Sequence, residues 1–463
     1  MEQTETLPPP SHTLPWWRRL ISSSLLSERA LTLSAIVVAL GFFTSKILGL
    51  VREVLIARTF GTSAELDAFR VANTFSDMLD SVVAGATIAA VFIPVFSMSL
   101  VRDQAARREG WKFASAVLND MFLLMTIVVT LGIIFAPQLI QYFIAPGFDA
   151  AQQALAVDLM RIVLLAAIVF AVGGTITGIL HAHNRFALAA MAGPLHNLGI
   201  IGAIFFLVPT MGIYGLAWGI VIGSLLYLAI QIPGLIRSGM IWFPVIGRGQ
   251  KSMNEMLHLL PYRIVTTNVG SITRLVMNNF ASFLGTGSIS ALSYAYMLWQ
   301  FPETLIGTAI AVAVFPRLSQ RVAANDKKGF RRLFHITLVT ILALAIPSAI
   351  VASVFSQQIV ALVLERGAFN AESTALVAPV LAYFALAIVG ESVLELTART
   401  FYAQHDSRTP MFVTLGAMTL RIALMFWWRD IFGAAGLALA YAVAVCFEAG
   451  TLYVLARRRF LHD

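Results

Sequence analysis

Charge is scarce in this chain: Asp, Glu, Lys and Arg together make up 12% of its 463 residues, where a soluble domain carries about 25%. Cysteine is scarcer still. The lone Cys446 excludes an internal disulfide and a multi-thiolate metal site. No kinase, hydrolase or dinucleotide motif occurs, and the eight histidines show no zinc-ligand spacing. No small-residue cleavage site follows the first apolar run, which therefore reads as an uncleaved span, not a secretory signal. What remains is apolar: 58% of the residues, with a mean hydropathy of +0.81. The net charge of +8 fits Lys- and Arg-rich inner loops of a membrane protein better than a nucleic-acid partner.

Stretches long enough to cross about 30 Å of hydrocarbon fall at 33–58, 67–100, 113–140, 155–180, 187–208, 213–236, 257–284, 288–316, 333–356, 373–398, 410–429 and 433–456. The runs at 67–100 and 288–316 exceed one straight crossing, and Pro94 and Pro302 are their expected kink points. With both termini inside, about 22 Lys and Arg fall on the inner side and about 3 on the outer, a heavy positive-inside bias. The expectation is an all-α polytopic membrane protein of twelve transmembrane helices, N-in and C-in. Residues 1–30 form a cytoplasmic tail. Pro8, Pro9 and Pro10 keep its start extended, and Trp16-Trp17-Arg18-Arg19 reads as a short interfacial helix.

The halves repeat. Leu50-Val51 with Gly61-Thr62 recurs as Leu275-Val276 with Gly285-Thr286, and Val91-Phe92-Ile93-Pro94 as Ala313-Val314-Phe315-Pro316. Gly147-Phe148-Asp149-Ala150 returns as Gly367-Ala368-Phe369-Asn370-Ala371, and the turn at His183-Asn184-Arg185 as His405-Asp406-Ser407-Arg408. All four matches keep their order at an offset of roughly 220–225 residues, and they include Gly, Pro, Asn and Arg, which chance similarity between apolar segments does not supply. Two pseudo-symmetric six-helix bundles follow, at 31–236 and 257–456, joined by a cytoplasmic loop at 237–256 and followed by a basic tail at 457–463. Duplicated bundles are the usual plan of secondary transporters, with the substrate between the halves.

A charge at mid-span costs at least about 2.5–3.5 kcal/mol, so each one asks for a reason. Lys46, Arg52 and Glu53 lie within two turns of the first span, and Lys46 and Glu53, seven apart, share a face. In the second span Asp67, Arg70, Asp77 and Asp80 make an acidic stripe with an arginine in it. Arg263 and Arg274 share a face of the seventh. Local pairing of Arg70 with Asp67 or Asp77, and of Arg161 with Asp158, accounts for some of these charges. Lys46, Arg52 and Arg274 instead predict a hydrated cationic cavity between the halves, with Arg70 near its rim. Arginine suits phosphate because its planar fork makes paired charge-assisted bonds.

Several segments resemble the MurJ/MviN family of lipid II flippases in the MOP superfamily, which also holds the MATE multidrug transporters. They are Ser45-Lys46-Ile47-Leu48-Gly49-Leu50-Val51-Arg52-Glu53, Asp67-Ala68-Phe69, Pro146-Gly147-Phe148-Asp149, and Gly178 through Phe186. In the second half Asn279-Phe280-Ala281-Ser282-Phe283-Leu284, Arg366 through Leu376 and Asp406-Ser407-Arg408-Thr409-Pro410 continue the match. The resemblance implies a MATE-like fold in the cytoplasmic (inner) membrane, with Arg52 and Asp67 facing the cavity. The chain departs from the family pattern in four ways. Lys46 stands for an arginine, Asp80-Ser81 for an Arg-Arg pair, Tyr296-Met297 for an Asp-Arg pair, and the family's last two of fourteen spans have no counterpart. Arg274, at a normally apolar position, reads as a relocated cation.

The function the resemblance implies is translocation of a lipid-linked peptidoglycan precursor, the polyprenyl diphosphate lipid II, across the cytoplasmic membrane by alternating access, with a coupling cation or the membrane potential as the drive. No cofactor or metal is expected, and Lys46, Arg52, Asp67, Arg70 and Arg274 are the candidate binding residues. Other readings stay open: a flippase for another polyprenyl-diphosphate-linked saccharide, a MATE-like multidrug antiporter using Tyr294, Tyr296, Trp299 and Glu303, or a non-transporting cell-wall scaffold.

Overall fold

A computed structural model of the chain describes residues 16–83, 92–93, 96–97, 104–247 and 270–461, and these contain helices and turns but no strand. Eight helical segments among the described residues are long and apolar enough to cross a membrane: Arg107–Ile134, Ala150–Ala182, Phe186–Phe206, Ile213–Arg237, Ser288–Ala323, Lys327–Val354, Ala371–Ala403 and Arg408–Phe460. Pro94, Arg263, most of 84–100 and the stretch 257–269 lie outside the described residues.

The elements that matter here are α1 (Trp16–Phe60), α2 (Ala64–Val83), α3 (Gln104–Ile134), α4 (Ala150–Ala182), α5 (Phe186–Phe206) and α6 (Ile213–Ala229). The second half adds α7 (270–281), then α8 (Ser288–Glu303), α9 (Ala309–Ala323), α10 (Lys327–Val354), α11 (Ala371–Phe384), α12 (Ala387–Ala403) and α13 (Arg408–Ala456). The Trp16-Trp17 segment is continuous with the first span in α1. At Pro302, which has no N–H to give the ladder, the helix slips into a π turn over Thr304–Thr308 before α9 continues.

Small residues let these helices approach, as helices do where no water drives them together. Gly41, Ser45 and Gly49 recur every four residues on α1 and lie against α5. A Cβ on Gly41 would fall 2.7 Å from that of Ala190, and one on Gly193 2.8 Å from Ser45 Oγ. The segment after α6 is strapped to α3. There Asn119 Nδ2 donates to the carbonyls of Phe243 and Val245 (3.0 and 2.9 Å), and Trp242 Nε1 donates to Asn119 Oδ1 (3.0 Å).

The internal repeat is visible in local chemistry. Asp149 caps α4 by accepting from Gln152 N, and Asn370, 221 residues on, caps α11 by accepting from Ser373 N. Asn184 and His405, the same distance apart, both take a left-handed conformation (φ 56° and 60°). Gly212 and Gly433 do likewise, with φ, ψ of 57°, −135° and 59°, −140°. Gly433 breaks α13 into two helical arms, 408–432 and 434–456.

The halves clasp one another through their turns. Ala368 N donates to the carbonyl of Arg58 (2.8 Å). Gly61 and Gly367 both have positive φ (59° and 63°), and a Cβ on either would fall 2.5 Å from a carbonyl oxygen of the opposing turn, Ala368 or Arg58 respectively. No other residue fits there. Thr62 Oγ1 and Ser373 Oγ lie 2.9 Å apart, Gly147 N donates to Ser282 Oγ (3.0 Å), and Asn279 Nδ2 donates to the carbonyl of Phe143 (2.7 Å).

At the turn before α13, Asp406 accepts from Thr409 N (3.0 Å) and Thr409 Oγ1 (2.6 Å), and Arg459 from the chain's basic end reaches it at 3.0 Å. Burial pushes the carboxyl up, but the Thr409 hydrogen bonds and the Arg459 guanidinium outweigh it and hold Asp406 below the ordinary aspartate value. A depressed carboxyl contributes its stability above the unfolded value, about 3.9, and loses it as pH falls through the folded value. A spin label at Arg458 is therefore expected to be immobile at neutral pH and to loosen only in strong acid, whereas Asp406→Asn should loosen it throughout. A label insensitive to both changes would contradict this tether.

Candidate functional site

The polar stripe of α2 is a seam along which the first half meets the second. Ser63 Oγ accepts from Leu66 N (3.3 Å) and opens the helix. From there Asp67, Arg70, Thr74, Asp77 and Ser81 follow at helical spacing along one side.

Asp67 is buried, 1% exposed, and both its oxygens are engaged. Oδ2 accepts from Gly287 N (2.6 Å), and Oδ1 accepts from Ser290 N (2.7 Å) and Ser290 Oγ (2.6 Å). The N-cap of α8 is Gly287, which has no side chain to satisfy the helix's first N–H groups. Asp67 supplies that cap from the other half, and the helix dipole favours the negative charge there. This corrects the expected pairing of Arg70 with Asp67 or Asp77: helix-end amides and a hydroxyl bind Asp67 directly.

Arg70 turns instead to Glu53 of α1. Its guanidinium makes a short ion pair with Glu53 Oε2 and a second contact to Oε1 at 3.4 Å, and it lies 5.5 Å from the Tyr294 ring centre. Glu53 is shared, because Arg52 Nη2 reaches Oε1 at 2.9 Å. The other fork of Arg52 donates to Asn197 Oδ1 on α5 (2.9 Å). Asn197 is itself fixed, its amide donating to Ser45 O, Ser45 Oγ and Gly193 O at 3.2–3.3 Å. The small-residue stripe of α1 thus sets Arg52 in place.

Below the clamp, Asn278 Nδ2 of α7 donates to Thr74 Oγ1 (2.7 Å), and Ser81 and Ser271 hydroxyls lie 3.2 Å apart. Arg274, on the same helix and half-buried, makes a weak contact to Ser271 Oγ at 3.4 Å. Asp77 is exposed, accepts from Asn73 (3.0 Å), and lies in the combined field of Arg274, Arg52 and Arg70. Lys46 is exposed on α1 beside Phe42, 5.6 Å from its ring centre. Among the described residues neither Lys46 nor Arg274 has a carboxylate at ion-pair distance. Arg161 pairs with Asp158 at 3.5 Å, as expected, with both side chains about half exposed.

Of the expected set, then, Arg52 and Arg70 are joined through Glu53, and Arg274 lies on α7, which bonds to the same stripe of α2. Asp67 closes one end of the seam, and Lys46 stands on the face of α1 that also carries Glu53. Asn197, Thr74, Asn278, Ser290 and Tyr294 complete the site and were not singled out from sequence as its partners. An arrangement of arginine forks with unspent donors can hold a polyanion. Among the described residues no group of three or more His, Cys, Asp or Glu side chains is placed to hold a metal ion.

Comparison with known proteins gives a consistent picture. The sequence model of the family described as "Lipid II flippase MurJ" matches residues 56–463. The chain is 28% identical over 429 residues to the lipid II flippase MurJ of Burkholderia cenocepacia, covering 90% of this chain and 82% of that protein. It is 29% identical over 428 residues to the probable lipid II flippase MurJ of Rhizobium tropici, covering 90% and 79%. Among solved structures it is similar to a lipid II flippase MurJ in an inward closed conformation, with a TM-score of 0.81 at 27% identity over 91% of this chain and 87% of that one. A MATE-family multidrug transporter in an inward-facing conformation shares the fold (TM-score 0.75) at 13% identity, over 90% and 94% of the two chains.

Proposed function

The chain belongs to the lipid II flippase MurJ family, and from that premise we propose that it carries a polyprenyl-diphosphate-linked saccharide, lipid II, across the cytoplasmic membrane by alternating access. The observation that carries this reading is the joining of Arg52 and Arg70 through the shared Glu53, opposite Arg274 of α7, a helix that bonds to α2 through Asn278 and Ser271. A diphosphate offers such forks paired charged acceptors, and Lys46 adds a flexible fourth cation.

In this reading twelve helices form two six-helix halves, 31–236 and 257–456, with both termini inside. The clasp made by Gly61, Gly367, Thr62, Ser373 and the Asp67 cap lies at the outer end, so the structure supports an inward-directed cleft. Asp67 acts as the latch of that end; its acceptors are already occupied, and a second anion would be repelled there. Outward opening breaks the latch and delivers the head group, while the polyprenyl tail stays in lipid. The potential, negative inside, favours export of an anion by about 2.3 kcal/mol per charge per 100 mV.

The test is rescue. Expression of the chain in a bacterium depleted of its own lipid II flippase is expected to restore growth and cell shape. Failure to rescue by protein correctly inserted in the membrane, together with no change in head-group accessibility of lipid II in vesicles, would overturn the substrate assignment.

A further inference from the structure

The second half contains buried ionisable groups that the cleft does not use. Glu303 ends α8 at the π turn, Glu391 lies on α12, and Glu448 and Arg421 lie on the two arms of α13. Arg421 approaches Glu448 at 3.8 Å and stacks 4.4 Å over the Tyr441 ring, whose hydroxyl donates to Glu391 (2.6 Å). Glu448 directly, and Glu391 through the Tyr441 hydroxyl, therefore share one guanidinium.

Glu303 is the carboxyl left over. It is 7% exposed, and its hydrogen-bond partners are hydroxyls only: Thr308 at 3.1 Å and Thr304 at 3.4 Å. Beside it, Ser392 of α12 is fully buried and its hydroxyl has no partner. A Cβ on Gly307 would fall 2.7 Å from Ser392 Oγ and 2.8 Å from Glu303 Oε1, so the two oxygens are no more than about 5.5 Å apart across a gap that only glycine leaves open. π turns mark functional sites more often than regular helix does, and chains of buried acids in membrane proteins carry protons.

Among the described residues no Lys or Arg lies at ion-pair distance from Glu303. On α12, Arg399 is paired with Glu395, and although its charge reaches Glu303, that of Glu391 on the same helix opposes it; on α13, Arg421 serves Glu448. Tyr296 on α8, Tyr383 on α11 and Tyr441 and Cys446 on α13 carry no charge to offer, Arg274 on α7 faces Asp77, and Asp67 and Arg70 of α2 meet α8 at its opposite end. Opposite the π turn, the sequence of α10 and beyond carries no ionisable residue from Ile336 to Leu364.

We propose that Glu303 is a proton-carrying site, which takes a proton from the water on one side of the membrane and releases it to the other, so that substrate movement is coupled to a proton. The protonated carboxyl gains a donor for which Ser392 Oγ is a waiting acceptor; the ionised carboxyl forms only when the second half opens this site to water. The coupling rests on the flippase reading, whereas the proton site itself does not.

Two measurements on the full chain separate these claims. Infrared difference spectra of the purified protein across a pH titration should show, among the carbonyl bands of buried carboxyls, one component lost in Glu303→Gln and shifted but present in Ser392→Ala. In vesicles, a one-unit proton gradient should shift the transmembrane distribution of a labelled lipid-linked diphosphate about tenfold for one proton per substrate, with no shift in Glu303→Gln. Spectra in which Glu303→Gln removes no carbonyl component, or an unchanged gradient response in that variant, overturn the proposal. A wild-type chain that shows the band but moves no lipid sinks the flippase reading and leaves the proton site standing.

Discussion

Arg52→Ala and Arg274→Ala are each expected to remove lipid-linked diphosphate flipping, by about tenfold to a hundredfold or more. Each change deletes charge-assisted bonds to an anion in a poorly solvated cleft, worth about 1.5–3 kcal/mol apiece. Folding should survive both. In Arg52→Ala, Glu53 keeps its ion pair with Arg70, and Arg274 makes only a 3.4 Å contact that a water replaces. Lysine at either position should restore part of the activity, because charge returns without the bidentate fork. The readout is head-group accessibility of a labelled precursor in vesicles holding each variant. Unchanged flipping in both alanine variants would remove these residues from the substrate site. A cation exporter would show the reverse pattern, tolerating loss of the arginines and failing on neutralisation of a carboxylate.

Asp67→Ala should unlatch the clasped end. It withdraws three acceptor contacts at 2.6–2.7 Å and leaves the first amides of α8 buried without a partner, a loss of at least about 3 kcal/mol. Asp67→Asn keeps the shape but turns an N–H group toward donors and should fall in between. A pair of cysteines replacing Thr62 and Ser373, whose oxygens lie 2.9 Å apart, reports the state of the clasp once Cys446 is changed to Ser. Cross-linking should be fast with Asp67 present and several-fold slower in Asp67→Ala. An equal rate in both backgrounds would mean that the glycine turns alone hold this end shut.

Much of this site could be read from the order of the residues, because charges in apolar spans are conspicuous. The stripe on α2 and the cluster at Lys46, Arg52 and Glu53 stood out for that reason, as did the turns at Asn184 and His405. Partner choice did not. Arg70 lies three residues from Asp67 and seven from Asp77, and local spacing favoured those pairings, yet Arg70 bonds across helices to Glu53. That outcome depends on how closely α1 approaches α2 and on the bare N-terminus of α8, both tertiary facts. Asn197, Asn278 and Ser290 were passed over for another reason. An uncharged polar side chain costs little in a span, so nothing in the sequence separates a positioning residue from an incidental one. The eight segments of membrane length rest on helices fully inside the described residues. α1, α2 and α7 carry their charges within or beside the apolar run, which is where simple hydropathy is weakest.

Gly433 joins the two arms of α13 through one residue, and Gly212, with nearly the same backbone angles, joins the one-turn helix Val208–Met211 that follows α5 to α6. Such a joint has no slack. The turn between α9 and α10, by comparison, gives three residues over 324–326. Mechanically, the two arms of α13 are a single bent strut whose included angle is fixed by the conformation of a glycine, and α6 with the one-turn helix before it repeats that joint in the first half. A force that tilts one arm must swing the other, so the number of independent moving parts is smaller than the number of helices. Asn197 lies on α5, ahead of the first joint, and Arg421 on the arm of α13 ahead of the second. The residue that orients Arg52 and the guanidinium that balances Glu448 therefore precede matching joints along the chain.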